Sequence, residues 1–257
     1  MTGVAHSIAP LISRDVLQAP HPIVLTLAGA GCDPCVFEGA HTHGIAWHAV
    51  DWFEGEGAFD PESIAQRLAD ELARRTAPTI LAGHSLGAFI ALLMAMRHGS
   101  RVQGLVLSNT GARMEAQADS SLPHRVRTQW QADTQEAFLR ACFEFEPPAH
   151  LWSRMCRYLA QLPAERMLAA VEGLRKLDVS GELDQVRCPT LIAHGRHDRK
   201  RTEAAAQLMA DGIAQARLVW LPGGHTPMVD CPVAYRDAVH DFLIEAGWTH
   251  ASLSETP

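Results

Sequence analysis

The chain has 257 residues, of which 47% are hydrophobic and 20% charged, and its 22 Lys and Arg against 29 Asp and Glu give a formal net charge of −7. Such a composition excludes disorder and low-complexity architecture, and the net negative charge supplies no overall field for nucleic acid or an anionic membrane, so small-molecule or protein partners are expected. A chain this long supports one large domain that buries roughly 70 to 75% of the surface exposed on unfolding.

The first 20 residues lack a basic start followed by an apolar core, and no apolar run approaches a bilayer span, so a cytoplasmic protein is expected. Six scattered cysteines in so large a domain are expected to be reduced. Cys32-Asp-Pro-Cys35 has neither a second cysteine pair nor a thioredoxin-like setting, so neither a metal site nor a cofactor is expected from it. Oligomeric state is not readable.

In chain order, residues 1–22 show no period and carry prolines at 10, 20 and 22, which predicts irregular edge structure. Residues 23–28 form a β-rich run that stops at Gly29-Ala30-Gly31, a strand followed by a tight loop. A second strand is predicted over 45–52. Asp60-Pro61-Glu62 opens a helix with an N-cap, a first-turn proline and an acid at the positive dipole end. Its Ile64, Leu68 and Leu72 share one face, with Arg67, Glu71 and Arg74 outward. A buried strand over 79–82, a buried helix over 88–97 and a strand over 102–108 follow. The alternation then stops, and residues 113–187 are helix-like, with predicted helices over 134–145, 149–161 and 163–177. Strand 190–194, helix 202–213, strand 216–221 and helix 233–246 close the pattern, and 248–257 looks like a polar tail. Strands alternating with helices predict an α/β fold: a mostly parallel sheet covered by helices on both faces, built from residues 1–112 and 188–257, with 113–187 inserted as a helical cap.

Chemistry concentrates at Gly83-His84-Ser85-Leu86-Gly87, where a buried strand meets a buried helix. A serine on so sharp a turn is presented above the sheet, and only glycines two positions either side leave room for it. A hydroxyl needs a base to take its proton and an acid to orient that base. Downstream, Asp198 in His194-Gly-Arg-His-Asp-Arg and His225 in Leu221-Pro-Gly-Gly-His-Thr-Pro both follow predicted strands. Parallel sheets place their sites at such strand ends. The order Ser85, Asp198, His225 therefore reads as a Ser-His-Asp triad. Among rival histidines, His84 is expected to pack or to hydrogen-bond locally, His194 to belong to its strand end and His197 to point away if Asp198 points in. Backbone N–H groups of Ala30 and Leu86 are positioned to form an oxyanion hole.

These motifs, over about residues 23–246, resemble the α/β-hydrolase family. The resemblance implies that family's fold, its triad on Ser85, Asp198 and His225, its oxyanion hole on Ala30 and Leu86, and its helical cap over the insertion. Three departures stand out: Ala28 replaces a common histidine, Arg199-Lys200-Arg201 follows Asp198 in place of a small apolar stretch, and a recognisable N-terminal β-hairpin is missing. The segment Leu107-Ser-Asn-Thr-Gly-Ala-Arg-Met114 is similar to the entry to the cap in 3-oxoadipate enol-lactonases and related small-ester hydrolases.

The expected function is cleavage of a small-molecule carboxylic ester or lactone through an acyl-enzyme, with no cofactor. Trp130, Phe138, Phe143, Trp152 and Arg113 are the expected substrate-pocket residues. The same scaffold also serves carbon–carbon bond hydrolases and cofactor-independent oxygenases, and a ligand receptor or scaffold without turnover is the alternative of another class. The cluster of Arg196, Arg199, Lys200 and Arg201 beside Asp198 suggests an anionic substrate, against the alternative of a solvated surface.

Overall fold

The structure is a computed structural model and describes residues 10–114 and 119–249. After a one-turn helix α1 (Arg14–Gln18) come β1 (Ile23–Leu27), a 3-10 helix (Pro34–Ala40), β2 (Ala46–Val50), α2 (Pro61–Leu72), β3 (Thr79–His84), α3 (Leu86–Arg97) and β4 (Gly104–Ser108). Four helices follow: α4 (Leu122–Thr128), α5 (Ala132–Arg140), α6 (Ala149–Gln161) and α7 (Ala164–Arg175). A 3-10 helix (Ser180–Gln185) then leads to β5 (Thr190–Gly195), α8 (Glu203–Gly212), β6 (Ala216–Leu221), α9 (Pro227–Asp230) and α10 (Pro232–Glu245).

The strands form one six-stranded parallel sheet in the order β2-β1-β3-β4-β5-β6. Its four inner strands are buried throughout, which is why they read as continuous apolar runs, while edge strands β2 and β6 are only partly covered. Helices α2 and α3 pack together on one face, and α9, α10 and the first 3-10 helix form a separate group on the other. The Asp60 carboxylate caps α2 by accepting from Ser63 N–H at 3.0 Å, and Ile64, Leu68 and Leu72 are buried as their spacing requires.

Strand order reverses between β1 and β3, so the chain leaves their adjacent carboxyl ends in opposite directions and opens a crevice there. Leu27 pairs with Gly83, His84 with Ser108, Ser108 with Ala193, and Gly195 with Leu221. This register brings the loops after β1, β3, β4, β5 and β6 to one edge of the sheet. The inserted helices leave between β4 and β5. Their neck is closed by a bridge between Arg113 and Asp178 and by Val179 N–H donating to Ala112 O at 2.9 Å.

Several local expectations need correction. Residues 14–18 are helical rather than irregular, and residues 1–9 and the tail over 250–257 lie outside the described residues. The strand expected from 102 begins at Gly104, because Val102 closes a 3-10 turn by donating to Gly99 O. The helix expected to reach 145 ends at Arg140, where Cys142 and Phe143 N–H turn back to Leu139 O and Arg140 O. Of the α2 side chains expected outward, only Arg74 is exposed. Glu71 accepts from Leu11 and Ile12 N–H at 2.8 Å, and Arg67 donates to Glu56 O at 2.8 Å. Buried Arg75, which has no periodic signature, gathers the Val16, Ala19 and His21 carbonyls and so ties the N-terminal segment to the sheet.

The tightest constraint lies where α3 meets β1. A Cβ on Gly87 would sit 2.1 Å from Leu27 O, and one on Gly83 would sit 2.3 Å from Ala88 Cα. Backbone cannot yield cheaply at either contact. Gly87→Ala is therefore expected to cost about 2 to 3 kcal/mol and lower the thermal midpoint by about 5 to 10 °C. Gly99→Ala, where an added methyl meets nothing within 4 Å, should leave the midpoint nearly unchanged in the same calorimetric comparison.

Candidate active site

Ser85 occupies the junction between β3 and α3 at φ 52 and ψ −116, a left-handed conformation unusual for a side-chain-bearing residue. Such strain costs about 1 to 3 kcal/mol and persists only where its surroundings enforce it. Here Ser85 N–H donates to Ser108 O at 2.9 Å, and the two glycines let α3 start against β1. Its hydroxyl faces His225, with Oγ 3.0 Å from Nε2, and His225 Nδ1 lies 2.9 Å from Asp198 Oδ2. An ionised Asp198 can only accept, so Nδ1 carries the proton and the Nε2 lone pair accepts from Ser85. His225 is 5% exposed and the Asp198 side chain is fully buried.

Asp198 stays ionised despite that burial. Burial pushes its carboxyl up, but electrostatic attraction to the His225 ring and hydrogen bonds from His225, Asn109 and the Lys200 N–H outweigh it and hold the group well below the usual range. Oδ1 accepts from Lys200 N–H at 2.7 Å and Arg201 N–H at 3.1 Å, while Oδ2 accepts from Asn109 Nδ2 at 2.7 Å as well as from His225.

Two supporting residues escaped the sequence analysis. Asn109, fully buried at φ 47, donates to Asp198 Oδ2 and to Gly224 O at 3.1 Å and accepts from Gly195 N–H at 3.3 Å, so it joins the loops after β4, β5 and β6. The available signal was an asparagine just past a strand, since Asn tolerates left-handed backbone. Asp230, in α9, accepts from Gly224 N–H at 2.8 Å and from Glu144 and Phe145 N–H at 3.2 and 3.4 Å, tying the histidine loop to residues 141–146. Burial pushes its carboxyl up against those hydrogen bonds.

A cavity of about 920 Å³ opens above Ser85. Ser85, His225, Ala30 and Leu86 line its floor, and Leu122, Phe138, Phe143, Val171 and Leu174 of the inserted segment line its walls. Leu86 is the first residue of α3, so its N–H has no acceptor within the helix. The Ala30 loop is held by Trp52 Nε1, which donates to Ala28 O at 2.9 Å. Trp130, Trp152 and Arg113, expected in the pocket, do not line it. Trp130 stands edge-on behind Phe138 at 5.7 Å, Trp152 on α6 is covered by the Arg140 guanidinium at 4.0 Å, and Arg113, half-exposed, pairs with Asp178 at 3.5 Å. Among the other histidines, His197 is exposed and faces Glu144 at 3.8 Å, and buried His194 lies against Trp220. Cys32 and Cys35 are free, buried thiols whose ionisation burial opposes, and Cys35 N–H donates to the Asp33 cap of a 3-10 helix. Among the described residues no group of three His, Cys, Asp or Glu side chains is arranged to hold a metal ion, and no helix is long and apolar enough to cross a membrane.

His84 lies behind the histidine loop, 1% exposed, with Nε2 2.9 Å from His225 O. Burial, reinforced by the neighbouring His225, lowers its pKa from 6.5 to about 3, so the ring is neutral and Nε2–H donates to that carbonyl. The unfolded chain takes up this proton below about pH 6.5 and the folded chain does not, so the His84 contribution to stability is complete above 6.5 and is lost as pH falls towards 3. The loss amounts to about 1.4 kcal/mol per pH unit well inside that window. Thermal midpoints between pH 7 and 4.5 are expected to fall less steeply in His84→Gln than in wild type; parallel slopes would contradict a neutral His84.

The Alpha/beta hydrolase family model matches residues 15–238. RutD of Variovorax paradoxus (strain S110), a candidate carbamate hydrolase, is 28% identical over 172 residues, which cover 63% of this chain and 65%, just under two thirds, of that relative's length. The pimeloyl-acyl-carrier-protein methyl ester esterase of Nitrosomonas europaea is 28% identical over 185 residues, 66% of this chain and 72% of the relative. The crystal structure of the enol-lactonase from Burkholderia xenovorans LB400 superposes with a TM-score of 0.76 at 21% identity, over 93% of this chain and 95% of that one, a likeness of fold. With the family model spanning most of its length, the chain belongs to the alpha/beta hydrolase family.

Proposed function

We propose that the chain is a serine hydrolase that cleaves a carboxylic ester or lactone of a small molecule through an acyl-enzyme. The observation that carries this reading is the unbroken hydrogen-bonded line from Ser85 Oγ through His225 to Asp198, opening into a cavity of small-molecule size. Relatives named for hydrolysis of a carbamate and a methyl ester, and a structural neighbour that is an enol-lactonase, support a substrate that is cleaved at a carbonyl carbon bearing an oxygen or nitrogen leaving group.

In the first half-reaction His225 Nε2 takes the Ser85 proton as Oγ attacks the carbonyl carbon. The backbone N–H groups of Ala30 and Leu86 receive the developing oxyanion, an interaction worth about 3 to 4 kcal/mol for one such donor. Collapse breaks the acyl–oxygen bond, and the imidazolium returns its proton to the departing alkoxide, which in a lactone stays attached as the far end of the acyl chain. Water, deprotonated by the same Nε2, then attacks the acyl-enzyme, and the carboxylic acid leaves as Ser85 recovers its proton. Ionised Asp198 stabilises the imidazolium throughout, and Asn109 acts as a positioning residue by holding that carboxylate. Residues 113–187 serve as a cap that selects the substrate over a core of 1–112 and 188–257, with Phe138 and Phe143 as the apolar walls of the acyl pocket.

Steady-state kinetics on p-nitrophenyl butyrate test the assignment. Ser85→Ala and His225→Ala should each lower kcat by about 10⁶-fold, and the double variant should lose no more than either single one, because the residues act as a unit. Asp198→Asn should lose less, about 10⁴-fold. Thermal midpoints of the serine and histidine variants should stay near wild type. Activity retained in His225→Ala would move the base elsewhere.

A further inference from the structure

Five cationic side chains line the cavity: Arg140, Arg175, Arg199, Lys200 and Arg201. Four of them are committed to protein groups. Arg140 covers Trp152 and stands 4.0 Å from Glu146, Arg175 donates to Asp119 O, and Arg199 pairs with Glu144 at 3.5 Å. Arg201 is 6% exposed and donates to Arg113 O at 3.4 Å and Met114 Sδ at 3.2 Å. The three lining carboxylates are likewise engaged, Asp119 by Arg125 and Ser121, Glu144 by His197 and Arg199, and Glu146 by Arg140.

Lys200 differs. It is half-buried, its ammonium lies 5.2 Å from the centre of the Phe138 ring, and among the described residues no carboxylate or carbonyl oxygen pairs with it. An ammonium has three N–H donors, and a ring face satisfies charge but offers no oxygen acceptor. Nearby Asp198 cannot serve as its partner, because that carboxylate already accepts from four groups. The same bonds fix where Lys200 stands. Its own N–H is one of the four donors, so the residue that orients His225 also anchors the backbone of Lys200. The charge of the ammonium reaches the cavity lining: burial pushes the Cys32 and Cys142 thiols up and Lys200 opposes that rise, and it adds to the Ser121 and Arg125 contacts that lower the Asp119 carboxyl against its burial.

We propose that Lys200 is the subsite for a free carboxylate on the substrate, so that the ester or lactone hydrolysed at Ser85 is an acidic one. This rests on the serine hydrolase reading above. The Phe138 face beside the ammonium fits the methylene segment that would join the carboxylate to the scissile acyl group.

Two pairs of esters test it, differing in which side of the scissile bond carries the carboxylate: p-nitrophenyl hydrogen glutarate against p-nitrophenyl valerate, and the butyrate ester of 4-hydroxybenzoate against that of its methyl ester. At pH 7.5 and low salt, wild type should prefer the acidic member of one pair by about 10- to 100-fold in kcat/KM, mainly through KM, as expected for a charge-assisted contact. The ratio should collapse towards unity in Lys200→Met, invert in Lys200→Glu and persist in Lys200→Arg, with circular dichroism confirming that each variant is folded. Wild-type ratios near unity for both pairs, or a preference undiminished in Lys200→Met, would overturn the subsite. Turnover of the neutral esters that disappears in Ser85→Ala but shows no carboxylate preference removes the subsite and leaves the hydrolase reading standing. Turnover of no probe, or turnover equal in Ser85→Ala, removes both.

Discussion

The site depends on one close approach, that of the first turn of α3 to the end of β1. Gly87 lies against Leu27 O and Ala28 O, with no room for a Cβ, and Gly83 is equally confined by Ala88. The same approach forces Ser85 into its left-handed conformation and sets Leu86 beside the Ala30 loop, so both line one cavity. A strained serine at the head of a helix gives up stability, and burial of α3 offsets that cost, since ten of its residues are buried and pack between α2 and the sheet.

Around that turn the loops after β4, β5 and β6 are welded by polar groups. Asn109 binds Asp198, Gly224 and Gly195 at once, and Asp230 joins Gly224 to residues 144 and 145 of the inserted segment. Buried donors and acceptors that are fully paired rigidify what they connect, and in low dielectric their loss is costly. His84 supports the same assembly from behind through His225 O, and its burial keeps it neutral, so it adds no positive charge beside the imidazole. Ionised Asp198, oriented His225 and the serine hydroxyl stand in one hydrogen-bonded line that these loops hold in place.

The legible part of this structure follows from short-range chemistry. Buried parallel strands are near-continuous apolar runs, a helix start after Asp60 has cap, proline and acid in order, and the Gly-x-Ser-x-Gly spacing states a steric requirement that Gly83 and Gly87 meet. Ser85, Asp198 and His225 could be picked out because each follows a strand, and in a parallel sheet those ends converge. The roles of Asn109 and Asp230 could not be read because the bonds that define them join loops some 85 to 115 residues apart in sequence. The pocket tryptophans misled for a related reason. Aromatic content marks an apolar face, but Trp130 and Trp152 use theirs on Phe138 and Arg140, and only packing decides which ring reaches the cavity. The end of α5 was misplaced because nothing between Arg140 and Pro147 breaks a helix locally; Asp230 draws that stretch into a loop from another element.

The central claim is that Ser85, and no other side chain, is the nucleophile. Labelling with a fluorophosphonate followed by peptide mapping by mass spectrometry tests it most directly, because the reagent reports a serine whose proton is already being taken by a base. Stoichiometric phosphonylation of the peptide containing Ser85, abolished in His225→Ala, is the predicted result. An unlabelled Ser85 in protein that is folded and turning over an ester, or a label on a different residue, would contradict the account.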